Sequence, residues 1–142
     1  MKKLLMYGFT LLLMLGQGTV NAQGNKKSAG KDQGQGKIEV YYFHFTARCH
    51  TCLNVEAKAK EAVEMLYPDL LQQGKISFQS INLDDESSKG LAQKLNVYGQ
   101  TLLIVKDDKK VNLTNEGFMY ANSNPQKLTA IIKEKVDELL KM

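Results

Sequence analysis

The chain has 142 residues, 43% hydrophobic, 24% charged and 8% aromatic, with 11 Gly, 2 Pro and 2 Cys. This is the composition of one globular domain. It excludes a collagen-like, disordered or disulfide-laced fold, and it leaves no second block of core-forming sequence for a separate dinucleotide-binding domain. The formal charge of +4 is unevenly placed: five of the 19 basic residues and one of the 15 acidic ones precede residue 37, so 37–142 holds 14 of each. The folded part is therefore neutral, and its charge gives no reason to expect nucleic-acid binding.

At the N-terminus, Lys2-Lys3 is followed by an apolar run from Leu4 to Leu15 and then by small and polar residues ending in Val20-Asn21-Ala22. That is the pattern of an export signal cleaved after Ala22. The run is about a dozen residues, short of the roughly 20 needed to cross a bilayer. Residues 23–36 contain no apolar side chain larger than Ala29 and have nothing to bury, so they read as a flexible polar linker. The expected organisation is a signal peptide over 1–22, a linker over 23–36 and a folded domain over 37–142. The product is expected to be a periplasmic or secreted monomer, with no stable membrane insertion after cleavage.

Ile38 to Phe45 is rich in β-branched and aromatic residues on both alternations, which predicts a strand buried on two faces. After Thr46-Ala47-Arg48-Cys49 a helical pattern sets in. Cys52, Val55, Ala59, Ala62, Val63 and Leu66 lie on one side, with Glu56, Lys58, Lys60, Glu61 and Glu64 opposite. Pro68 and Gly74 end it. Lys75 to Leu83 predicts a second strand, Ser87 to Leu95 a short helix and Thr101 to Val105 a third strand. A turn at Asp107-Asp108-Lys109-Lys110 leads to a fourth strand over Val111 to Thr114 that suits a sheet edge. The last helix has Asn124 as cap, Pro125 in its first turn and an apolar face of Leu128, Ile131, Ile132, Val136, Leu139 and Leu140. The order β-α-β-α-β-β-α requires a parallel first pair of strands and an antiparallel last pair, an α/β layered domain.

The chemistry concentrates in Arg48-Cys49-His50-Thr51-Cys52, where the first strand gives way to the first helix. Cysteines three apart across a helix start lie one turn apart, within reach of a disulfide. Cys49, at the cap or first turn, faces unpaired N–H groups and the positive end of the helix dipole, which favour a thiolate. Arg48 adds a fixed positive charge and His50 a second one when protonated. Cys52, one turn inside and on the apolar face, is expected to stay a thiol until it attacks a mixed disulfide at Cys49. A purely structural bridge is the bland alternative, but so short a loop removes little unfolded-state entropy. A soft metal or metalloid, Cu(I) or As(III), held by Cys49, Cys52 and His50 is the sharper one. Covalent haem attachment is excluded, because Leu53 and not His follows Cys52. His44, set among Tyr42, Phe43 and Phe45, reads as a hydrogen-bonded core residue. Asp84-Asp85-Glu86 reads as a loop feeding negative charge into a helix start.

The strand with its Cys49-His50-Thr51-Cys52, then Ile81-Asn82-Leu83-Asp84, then Gln93 to Val105 (QKLNVYGQTLLIV) together resemble the thioredoxin superfamily over residues 37–142. More narrowly, Phe43 to Cys52 (FHFTARCHTC) is similar to small exported thioredoxin-like proteins of the ArsF-like family, described as a subunit of nitrophenyl-compound nitroreductase. The resemblance implies a thioredoxin-like fold with sheet order second-first-third-fourth strand, and it puts Cys49 and Cys52 in the redox-pair positions. No flavin or nicotinamide site is recognisable, so no cofactor is expected beyond the Cys49–Cys52 disulfide itself, and electrons would pass to a protein redox partner.

Two departures from the thioredoxin pattern bear on mechanism. Thioredoxins place a cis-proline just before the Thr101-Leu102-Leu103 strand, where bound substrate pairs. Here that place is Gln100, for which a cis bond would cost about 2.5–4 kcal/mol, so a trans bond and a different groove at Gln100 and Thr101 are expected. The buried acid that thioredoxins carry six residues before the first cysteine is Phe43 here, which leaves solvent, His44 or His50 to take the Cys52 proton.

Overall fold

The computed structural model describes residues 36–142, so the expectations for the signal segment and for nearly all of the linker lie outside the described residues. A four-stranded sheet has β1 (Ile38–His44) and β3 (Thr101–Lys106) at its centre, with β2 (Ile76–Asn82) and β4 (Lys109–Asn112) at its edges. β1 is parallel to β2 and antiparallel to β3, and β3 is antiparallel to β4, giving the order β2-β1-β3-β4. This is the thioredoxin-like α/β fold that the resemblance implies, with its sheet order of second, first, third and fourth strand. Both alternations of β1 are buried, because helices cover both faces of the sheet.

On one face, Val40, Tyr42, Leu102 and Ile104 pack against α1 (His50–Leu66) and α5 (Pro125–Leu140) through Val55, Ala59, Ala62, Val63, Leu128, Ile132 and Val136. On the other, Tyr41, Phe43, Leu103 and Val105 pack against Ala92 and Leu95 of α3 (Lys89–Leu95) and against Val97. The two layers follow from the period of two in β1: even-numbered side chains meet α1 and odd-numbered ones meet α3.

The structure differs from the sequence reading in four local places. α1 stops at Leu66, and a separate short helix, α2 (Pro68–Gln72), starts at Pro68 and ends before Gly74, whose φ of +69° suits glycine. The stretch expected as one helix from Ser87 opens as a 3₁₀ turn, Glu86–Ser88, because the Ser88 hydroxyl donates to the Asp85 carbonyl at 2.8 Å and holds the tighter turn. β4 begins at Lys109 and ends at Asn112 rather than running from Val111 to Thr114. The Asn112 side chain accepts the Thr114 backbone N–H at 2.9 Å and turns the chain into a helix, α4 (Thr114–Tyr120), that the sequence reading lacked. Its Gly117 is buried against Val55 and Leu102. At α5, the Asn124 side chain accepts the Lys127 N–H at 3.1 Å, the cap expected there.

Candidate functional site

β1 ends at His44, and a five-residue connection delivers Cys49 to the N-cap of α1 in extended conformation, φ −79° and ψ 161°. Cys49 Sγ accepts the Cys52 backbone N–H at 3.1 Å, so the sulfur sits on an otherwise unpaired donor of the first helical turn. Cys49 and Cys52 are joined as a disulfide with Cα atoms 5.1 Å apart. Cys49 is exposed, whereas Cys52 is only 3% exposed and belongs to the buried face of α1. One sulfur of the bond is therefore open to an incoming thiolate and the other is shielded by the fold.

The connection is held from two sides. The Thr46 backbone N–H donates to an Asp84 carboxylate oxygen at 2.7 Å, and Asn82 Nδ2 donates to Thr46 Oγ1 at 2.9 Å. The Thr46 N–H bond, assisted by the Thr46 hydroxyl, holds the Asp84 carboxyl below the usual carboxylate range. Asp84 thus fastens the loop before the cysteines, a correction to its reading as a helix-start charge. Across the helix, Asn122 Nδ2 donates to Thr51 Oγ1 at 3.1 Å and Asn122 Oδ1 accepts from Asn54 Nδ2 at 2.5 Å. This ties the first turns of α1 to the connection between α4 and α5.

Behind the cysteines lies a polar chain. Arg48 pairs with Glu56 through Nη1 and donates Nη2 to His44 Nε2 at 2.8 Å. His44 is 5% exposed, and its Nδ1 lies 2.9 Å from the Phe45 carbonyl. A carbonyl can only accept, so Nδ1 carries the hydrogen and Nε2 offers its lone pair to Arg48: the ring is the neutral tautomer. Its only lone pair is taken, which argues against His44 as acceptor of the Cys52 proton. Glu56, placed with the solvent-facing charges by helical periodicity, is instead half-buried. Side chains on a helix lean toward its N-terminus, and that lean carries Glu56 back past the Cys52 turn to Arg48. An arginine just ahead of an N-cap and a carboxylate two turns on is the signal that could have found the pair.

At the cysteine end of β1 the α1 side carries Tyr42 and His44, whose rings stack with centroids 6.2 Å apart. Phe43 points the other way, into the α3 layer. The residue six before Cys49 is thus on the sheet face away from α1 and its cysteines. The Tyr42 hydroxyl is buried without a hydrogen-bond partner among the described residues. Burial, and then the nearby Glu56 carboxylate, push it up to about 12.

His50 is exposed in the first residue of α1. Gln100 and Thr101 are half-buried, and Thr101 pairs with Phe43 across β1 and β3, which places both at the sheet end where α1 starts. Thr101 Oγ1 donates to the Gly99 carbonyl at 2.9 Å. No peptide bond among the described residues is cis, so Gln100 follows a trans bond as expected. Among the described residues no group of three His, Cys, Asp or Glu side chains is arranged to hold a metal ion, and no helix is long and apolar enough to cross a membrane.

No family model matches the sequence, and no curated protein matches it. Solved structures similar to this one include a thioredoxin of Fasciola hepatica, at 24% identity over 70% of this chain and 82% of that one, with a TM-score of 0.44. The germline-specific thioredoxin Deadhead of Drosophila melanogaster is 18% identical over 70% of this chain and 81% of its own, with a TM-score of 0.44. A thioredoxin of Wuchereria bancrofti is 16% identical over 71% and 83%, with a TM-score of 0.42.

Proposed function

We propose that this chain is an exported dithiol–disulfide redox protein that exchanges electrons with a dedicated protein partner. The observation that carries the reading is the asymmetry of the pair, with Cys49 exposed on a helix N-cap and Cys52 shielded one turn inside. In the reduced state the Cys49 thiolate attacks a disulfide sulfur of the partner, forming a mixed disulfide and releasing one partner thiolate. Cys52 then gives its proton to solvent and attacks Cys49 Sγ. The Cys49–Cys52 bond closes, the second partner thiolate leaves, and two electrons have passed to the partner. Resemblance of the Phe43 to Cys52 segment to the ArsF-like nitroreductase subunits supports a partner that carries its own flavin or nicotinamide site. The apolar run and the Val20-Asn21-Ala22 site support export to the periplasm or secretion, with the mature chain starting at Gln23.

Thiol trapping of the full-length protein across graded glutathione buffers, beside Cu(I) and As(III) titration of the reduced form, tests this. Reversible two-electron exchange with weak metal binding is expected. A pair that does not exchange with glutathione but binds Cu(I) or As(III) tightly through Cys49 and Cys52 would replace the redox reading with soft-metal handling.

A further inference from the structure

Arg48 adjoins Cys49 in sequence, yet its guanidinium is committed to other groups. One nitrogen pairs with Glu56 and another donates to His44. The Arg48 and Glu56 side chains are each only 21% exposed, so solvent screens the pair weakly. The Glu56 carboxylate matches the Arg48 guanidinium, and His44 Nε2 accepts its second N–H, so the Arg48–Glu56 pair carries no net charge. What remains to stabilise a thiolate at Cys49 is the Cys52 N–H and the N-terminus of a 17-residue helix. The other titratable groups around the pair are the exposed His50 on α1, Asp84 on the loop after β2 and the buried Tyr42 hydroxyl of β1. The α4–α5 connection contributes the neutral Asn122.

The more strongly a fold favours the thiolate, the more stable its reduced form and the more oxidising its couple. We propose that Glu56 and His44 are positioning residues that hold Arg48 as a neutralised pair, leaving the Cys49 thiolate weakly stabilised, so that the couple acts as an electron donor. The inference rests on the redox reading above and adds the direction of flow. Two electrons and two protons leave the Cys49–Cys52 dithiol for a partner disulfide, and a dithiol donor returns them.

The test measures the Cys49 pKa by thiolate absorbance and the equilibrium with glutathione in the full-length protein. Wild type is expected on the reducing side of the glutathione couple. Glu56→Gln frees the Arg48 charge, so the Cys49 pKa should fall and the equilibrium should shift about tenfold toward the dithiol, roughly 30 mV for a two-electron couple. Arg48→Met leaves the Glu56 carboxylate uncompensated and should move both readouts the opposite way. The double variant should lie near wild type, and Glu56→Asp should restore most of the Glu56→Gln shift. A merely structural role would move stability without these opposed signs, and Arg48→Met alone carries the test if Glu56→Gln folds poorly. Unchanged values in both single variants, or a wild-type couple more oxidising than glutathione, would overturn the inference while leaving the redox reading intact. Failure of every variant and of wild type to exchange with glutathione would instead remove the redox reading itself.

Discussion

Gly117 in α4 faces Val55 in α1 so closely that a Cβ at position 117 would stand 2.8 Å from Val55 Cγ1. Val55 belongs to the helix that carries Cys52, one turn further along its buried face. The glycine is thus the point at which α4 is allowed onto the cysteine helix, and a side chain there must push the two apart.

Gly117→Ala is therefore expected to destabilise the fold. Overpacking costs about 1–3 kcal/mol, and the better helix propensity of alanine returns up to about 1 kcal/mol. The valine is stiff about χ1 and cannot swing clear. Urea unfolding should show a lower midpoint, and the sign should reverse in a Val55→Ala background where the space exists. A midpoint at or above wild type for Gly117→Ala alone would contradict the packing argument.

The unequal exposure of the two sulfurs has a direct chemical readout. In Cys52→Ser, Cys49 should form stable mixed disulfides and be alkylated at least about tenfold faster at neutral pH than Cys52 in Cys49→Ser, which lies on the buried face. Equal alkylation rates would show that burial does not separate their roles.

Acid should loosen the connection that presents Cys49. The Thr46 N–H holds the Asp84 carboxyl below its usual range, so the stabilisation is fully present above the unfolded value of about 3.9 and is lost as pH falls through the lower folded value. Asp84→Asn should lower the melting temperature at pH 7, and the gap from wild type should close as the pH approaches 2. A gap that stays constant over that range would mean that ionisation of Asp84 plays no part.

A generic protein disulfide should be a poor substrate. Backbone pairing of substrate beside a cis-proline supplies affinity independent of side chains, and Gln100 keeps its N–H and a trans bond. Insulin reduction is expected to be slow compared with an ordinary thioredoxin under equal driving potential, despite a reactive Cys49. Equal rates would favour a general oxidoreductase over a carrier for one partner.

Strands and long helices were legible in the sequence because their signals are local. β1 carries apolar residues on both alternations, and α5 repeats its apolar face over four turns with a capping Asn124. The Cys49 cap was legible for the same reason. α4 was not, since seven residues with Gly117 in the middle give no helical period, and its start depends on Asn112 turning the chain at the end of β4. The polar surroundings of the cysteines were hidden for a different reason. Glu56 looks solvent-facing by helical angle, and only the lean of its side chain toward Arg48 brings it in. Tyr42 is the core residue its strand context suggests, and only the sheet face it shares with His44 brings it beside the site.

The sulfurs are three residues apart, but the groups that frame them come from positions 44, 82, 84 and 122. A nascent or unfolded chain can close the bond between Cys49 and Cys52 without any tertiary structure, since the loop is minimal. The clasp of Asn122 on Thr51 and Asn54 cannot exist until the chain beyond β4 has been made and docked. Oxidation and maturation are thereby separate events. The bond can form early, while the Asn122 clasp on the first turns of α1 arrives only with the last third of the polypeptide, so the surroundings of the pair are complete only in a finished molecule.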